Sequence, residues 1–211
     1  GYVASYPIFG VPAGINAFAL GARLANPRVR IQLHWSCTPG NALDLFTRQG
    51  ISVISNRDIP TPELPQQQWG VFQVLPDRSI QPLASPYWHW GKFYEELIRT
   101  IMAGNWEQDN DVEKAINYWW GMPTGVVDVI CSKKLPAGTV RLVNVLKHNY
   151  KTGQFHTFTD QMYAQGHILK EKKGETLSPE EVIEMDWLAE NIIGRIPKIE
   201  ELQEQAKPVL T

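Results

Sequence analysis

The side chains best able to act on a small molecule cluster in four short segments: residues 5–9, 35–38, 56–58 and 76–77. Each places polar or aromatic residues directly after an apolar run. A ligand lying across them meets Trp35, Asn56, Arg57, Asp58 and Asp77. Tryptophan offers a broad apolar face with one donor, suited to stacking on a planar ring. A carboxylate accepts charge-assisted hydrogen bonds from paired donors. Each type also has a plainer use, because Asp after a strand caps the next helix and Trp packs cores. Pro86-Tyr87-Trp88-His89-Trp90 adds rings that read either as a cleft wall, with Trp88 available for stacking, or as a hydrophobic staple for the helix that follows.

Other chemistries lack their constellations. His34, His89, His148, His156 and His167 show no i, i+4 pair and no H-E-x-x-H, so no metal site is expected. Cys37 lies near His34 in sequence but carries no nucleophile signature, and Cys131 reads as a small apolar residue. Ser55 and Ser85 sit in no G-x-S-x-G elbow. No phosphate cradle occurs; residues 10–14 are a glycine-containing helix entry whose amides offer a modest polar-group site. No catalytic residue and no cofactor is therefore expected, and an enzyme is the least favoured class.

Bulk properties agree. The 211 residues are 43% hydrophobic and 20% charged, a globular composition. Net charge is −2, which removes the electrostatic basis for non-specific nucleic-acid binding. No apolar run reaches the ~18 residues of a membrane span. Two cysteines make no disulfide framework.

The elements that must position these side chains can be read from periodicity. Residues 2–5 are an apolar strand. Ile15, Phe18, Ala19 and Ala22 mark one face of a helix that Asn26-Pro27 stops. Residues 29–35, 51–55 and 71–75 read as further strands. A short helix after Thr38-Pro39, with Thr38 as cap, ends at Gly50. Strand–helix–strand repetition predicts βαβ units, a parallel sheet and flanking helices. In such sheets ligands bind beyond the carboxyl ends of the strands, which is why the four segments stand out. Further on, Tyr94, Leu97, Ile98, Ile101 and Met102 stripe a helix closed by Gly104, residues 105–117 are polar, and Tyr118-Trp119-Trp120 precedes a strand over 126–131. A helix through Leu142, Leu146 and Tyr150 ends near Gly153, and residues 154–175 read as loops and a hairpin with a charged turn at Lys170-Glu171-Lys172-Lys173. Ser178-Pro179-Glu180-Glu181 is a capping box opening a helix with Val182, Met185, Trp187 and Leu188 on its apolar face. Residues 198–205 read as a charged terminal helix.

Several segments resemble the basic membrane protein (BMP) family, the substrate-binding lipoproteins of ABC importers that include purine-nucleoside receptors. They are Gly1-Tyr2-Val3-Ala4-Ser5-Tyr6-Pro7-Ile8, Gly14-Ile15-Asn16-Ala17-Phe18-Ala19-Leu20-Gly21-Ala22-Arg23, Trp90-Gly91-Lys92-Phe93-Tyr94, Gly153-Gln154-Phe155-His156-Thr157-Phe158-Thr159 and Met185-Asp186-Trp187-Leu188. The resemblance implies a type I periplasmic-binding-protein-like α/β fold, with one lobe plus part of the other and the first, N-terminal lobe largely missing. Residues 1–84 would start the second lobe, and residues 85–211 would carry the crossover, remaining lobe elements and C-terminal helices. It implies a nucleoside-like small-molecule ligand, held by an aromatic ring and carboxylates, with Trp35, Asn56, Asp58, Asp77 and Trp88 as ligand-binding residues. It also implies an ABC permease as partner, no nucleic acid, and a lipid-anchored cell-surface location signalled upstream. The alternative is a BMP-like regulatory sensor without a transport role, which a cytoplasmic location would favour.

Overall fold

The computed structural model describes residues 1–57, 69–104, 121–159, 161–171 and 175–209. Asp58, the polar stretch 105–117, Tyr118-Trp119-Trp120 and Lys172-Lys173 lie outside the described residues. The chain divides into two compact units, Gly1–Leu83 with His156–Thr211, and Ala84–Phe155.

The first unit is an α/β layer structure around a mostly parallel sheet. Strand β1 (Tyr2–Ala4) lies between β2 (Ile31–Trp35) and β3 (Val53–Asn56), parallel to both, and β2 pairs in parallel with the short β9 (Ile192–Ile193). Helices α1 (Val11–Ala25) and α2 (Ala42–Arg48) make the crossovers. The expected α/β class with flanking helices is therefore present. The sheet is mixed, however: β4 (Gly70–Val74) runs antiparallel to β3, with Asn56 opposite Gly70 and Val53 opposite Gln73. The parallel expectation fails for this strand because periodicity reports that a segment is a strand, not which way it runs.

Strand parity divides the core into two faces. Alternate residues of a strand point to opposite sides, so Tyr2, Ala4, Leu33 and Trp35 pack with Ile15 and Ala19 of α1. Val3, Ile54 and Phe72 pack on the other side around Phe46 of α2, which is fully buried. Both faces of the central strand β1 are covered, which explains why it reads as a continuous apolar run.

The C-terminal part returns to the α1 side. The hairpin expected within 154–175 is present as β7 (Gln161–Ala164) and β8 (Ile168–Glu171), paired antiparallel. The capping box at Ser178 is formed in both directions, yet helix α5 is only Pro179–Ile183. Met185 and Leu188 leave the helix to reach the core, where both are buried. Asn16 of α1 fastens this return. Its Nδ2 donates to the Met185 Sδ at 2.9 Å and the Trp187 carbonyl at 2.8 Å, and its Oδ1 accepts from the Ala189 amide at 2.7 Å. Asn191 adds a bond from its Nδ2 to the Ala19 carbonyl at 2.9 Å. The expected terminal helix is instead two 3₁₀ turns, Ile199–Glu201 and Glu204–Val209; Leu202, which follows the first, and Ala206, in the second, sit in the α1-side core.

Strand β5 (Ile80–Trp88) follows β4 through a tight turn and leaves the first unit at Leu83. In the second unit, its Ala84–Trp88 portion pairs antiparallel with β6 (Val127–Cys131). Tyr87 and Trp88, read from sequence as a cleft wall or staple, are strand residues here, and Tyr87 Oη lies 2.7 Å from His89 Nε2. Helices α3 (Trp90–Met102) and α4 (Ala137–Lys151) follow. Asp128 of β6 joins Lys147 and Lys151 of α4 at 2.5 and 3.2 Å. Burial of Asp128 works against its charge, but the Lys147 bond, the Val129 amide and Lys151 outweigh it and lower its pKa to about 2. Among the described residues no helix is long and apolar enough to cross a membrane.

Candidate functional site

The carboxyl ends of β1, β2 and β3 frame a cavity of about 160 Å³ on the α2 side of the sheet. Register builds it. Val3 pairs with His34 on one flank and with Asn56 on the other. In a parallel sheet such partners point to the same face, so His34, Val3 and Asn56 form one lateral row at the strand ends. Ser36, Gly40, Asn41 and Leu43, from the segment between β2 and α2, close over this row, with Ile54 and Phe72 among the walls.

That segment is held from several sides. The Ser36 amide donates to the Ala4 carbonyl at 2.8 Å, and the Thr38 amide and hydroxyl both donate to the Trp35 carbonyl, at 3.0 and 2.7 Å. Gln203 clamps it from the C-terminal part, its amide donating to the Cys37 carbonyl at 2.9 Å and its Nε2 to the Thr38 carbonyl at 3.0 Å. Thr38 is thus a loop tie and not the expected helix cap. The cap of α2 is Asn41, whose Oδ1 accepts from the Asp44 amide at 3.1 Å.

His34 stands out chemically. It is 9% exposed and sits edge-on to Phe46 at 6.5 Å. Burial pushes its pKa down, opposed by a hydrogen bond to the Gly40 backbone, so the ring is neutral at pH 7. Its Nε2 is buried and has no hydrogen-bond partner. The bond to Gly40 must therefore use Nδ1. With Nδ1–H donating to the Gly40 carbonyl, Nε2 would be left as a lone-pair acceptor.

The sequence-nominated residues separate. Asn56 lines the cavity beside His34. Trp35 follows His34 by one residue and so faces the opposite side. It is 4% exposed in the α1-side core, and its Nε1 donates to the Arg195 carbonyl at 2.9 Å. Asp77 lies in the turn after β4. Because β4 runs antiparallel, with the Val74 amide donating to the Ser52 carbonyl at 2.8 Å, this turn sits at the amino ends of the parallel strands. There the Asp77 Oδ1 accepts from the Ser79 hydroxyl and amide at 2.6 and 2.9 Å, and these bonds lower its pKa. Trp88 ends β5 in the second unit, 39% exposed. Asp58 is outside the described residues, while its neighbour Arg57 places its guanidinium 5.5 Å from the centre of the Trp69 ring. The structure brings Asn56 to the cavity together with Ser36, which lies in the nominated segment 35–38, and adds His34 and Asn41, which the sequence reading does not nominate. The available signal was a histidine inside an apolar strand, one residue before its carboxyl end.

A second, larger hollow of about 680 Å³ lies beside the β1–α1 segment, with Ile8, Phe9, Pro12, Ile183 and Ile196 among its walls. Phe9 is 80% exposed there. Its lining is largely apolar and carries no buried unpartnered group comparable to His34. Among the described residues, His, Cys, Asp and Glu gather nowhere in a group able to hold a metal ion.

No family model matches the chain. Over 94% of its length the chain is 24% identical to a purine-binding protein of Brucella abortus, of which the match covers 58%. Over 139 residues it is 32% identical to a Haloferax volcanii protein named as an ABC transporter glucose-binding protein, of which the match covers 34%. The chain thus spans little more than half the length of the first of these relatives and about a third of the second. Both relatives carry the names of solute-binding proteins, and it is to this class of protein that the chain is similar.

Proposed function

We propose that the chain is the ligand-binding part of an ABC-importer solute-binding protein of the basic membrane protein type, and that it takes a nucleoside, a nucleobase or a related small ring compound. The observation that carries this reading is the cavity at the carboxyl ends of β1–β3, lined by His34, Ser36, Asn41 and Asn56. Open α/β sheets bind ligands at that edge. Relatives named for purine and glucose binding give the reading independent support. The role is recognition without turnover. The polar groups at the cavity are a neutral imidazole, amides and a hydroxyl, which orient a solute but supply no activated nucleophile or paired acid and base. In the importer the loaded protein would deliver its solute to a membrane permease from a lipid-anchored position at the cell surface.

Titration calorimetry with adenine, adenosine and D-glucose tests the proposal, paired with thermal melts at the same concentrations. A solute held at about 100 times its dissociation constant adds about 2.7 kcal/mol to stability. A saturable heat with one of the three, and a matching rise in Tm, is expected. No heat and no shift with any of them contradicts the reading.

A further inference from the structure

We propose that His34 is the specificity-determining residue of this cavity, accepting at Nε2 a hydrogen bond from an N–H or O–H group of the bound solute. The inference rests on the solute-binding reading above and adds to it the chemistry the ligand must present.

A buried ring nitrogen without a partner destabilises a fold, and native structures carry few such atoms without a functional reason. His34 Nε2 is one of two among the described residues, the other being Asn191 Oδ1. The two differ in surroundings. Asn191 already spends its amide nitrogen on the Ala19 carbonyl, tying the chain before β9 to α1. His34 instead lines a cavity; the walls from Val3, Ile54 and Phe72 are apolar, and the donor-bearing Ser36, Asn41 and Asn56 that share the cavity make no bond to its Nε2. A ligand in the cavity is the natural source of the missing donor.

The tautomer then sets the sign of the recognition. With Nδ1–H committed to the Gly40 carbonyl, Nε2 presents a lone pair. A solute edge bearing only acceptors, such as a carboxylate or a phosphate, meets that lone pair with repulsion. An edge bearing a ring N–H, an amine or a hydroxyl completes it. The cavity is also small. At about 160 Å³ it falls below the roughly 300 Å³ at which sites for whole drug-sized ligands begin. It therefore admits one end of a solute, and the end it admits is the donor-bearing one. Purine bases and sugars both supply such an end, so both are used as probes.

The test is ring-nitrogen NMR on the 211-residue chain with ¹⁵N-labelled histidine, titrated with adenine and, separately, with D-glucose, and with calorimetry on the same samples. Unliganded His34 should show a protonated Nδ1 and an unprotonated Nε2. Saturation with the probe that binds should move the Nε2 resonance in the direction of hydrogen-bond acceptance and leave Nδ1 nearly fixed. His34→Leu should weaken that probe about tenfold or more, the loss expected when a buried partner is left unpaired. His34→Gln, which can offer an amide oxygen near the Nε2 position, should stay within about threefold of the parent. An unliganded Nε2 that carries the proton overturns the inference. So does a probe that binds calorimetrically while Nε2 stays still, and in that case the solute-binding reading survives without His34. Heat from neither probe removes the reading and the inference together.

Discussion

The two faces of the central sheet use buried polar residues in opposite ways. On the α1 face, Asn16 is fully buried and each end of its amide is engaged, binding the returning segment at Met185, Trp187 and Ala189. On the α2 face, His34 is almost as buried, lines a cavity, and has a ring nitrogen, Nε2, for which the fold supplies no partner. A satisfied buried amide specifies the fold, because no other arrangement returns all its bonds. An unsatisfied one costs stability and is tolerated where function needs it. The contrast teaches that burial alone does not separate structural from functional polar groups. What separates them is whether the fold itself supplies the partners.

The largest effect should come from breaking the satisfied side. Asn16→Ala removes three hydrogen bonds, strands the Ala189 amide and leaves a void. It should lower unfolding free energy by about 3 kcal/mol, read from urea melts. His34→Leu should cost far less. It deletes an unpartnered nitrogen along with the bond to Gly40, two effects of opposite sign, so stability should change by no more than about 1 kcal/mol in either direction, while affinity for the binding probe falls. A large loss of stability in this variant would mean that the fold, not a ligand, satisfies His34. Smaller still, Ser178→Ala opens the capping box of α5 and should cost about 1 kcal/mol. Asp77→Asn alters a turn at the far edge of the sheet and should leave probe affinity unchanged by calorimetry. A marked loss there would move the site away from the carboxyl edge.

The second unit offers a control that titrates separately. Asp128 has its pKa lowered to about 2, with the Lys147 bond foremost among the favourable causes. A group with a lowered folded pKa stabilises the fold above its unfolded pKa, and that contribution fades as pH falls toward the folded value. Acid should therefore destabilise the second unit between about pH 4 and pH 2, and Lys147→Met should flatten that dependence. Amide exchange resolved by unit would measure it.

Much of the fold was legible in the chain. The i, i+3, i+4, i+7 stripe from Ile15 to Ala22 located α1, and the apolar runs at Val3, Leu33 and Ile54 located the parallel strands. The Ser178 box marked a real helix start. Its length was misread because Met185 and Leu188 gain more by entering the core than by continuing a helix. The direction of β4 was hidden, since strand sense is decided by connections and not by residue periodicity. β9 is two residues long and leaves no pattern. Of the residues that line the cavity, Asn56 is legible because it follows an apolar run. Trp35 and His34 could have been told apart by parity alone, because adjacent strand residues face opposite ways and Val3 can align with only one of them. Asp77 looked like its neighbours in sequence but depended on the one strand whose direction was unknown.

The most direct test of a carboxyl-edge solute site is amide chemical-shift mapping of the chain on addition of adenine, adenosine or D-glucose. The account predicts shifts concentrated at His34, Ser36, Gly40, Asn41, Leu43 and Asn56, with Asp77 and Ser79 silent. Shifts centred on the Asp77 turn, or binding that leaves the His34–Asn56 row unmoved, would contradict it.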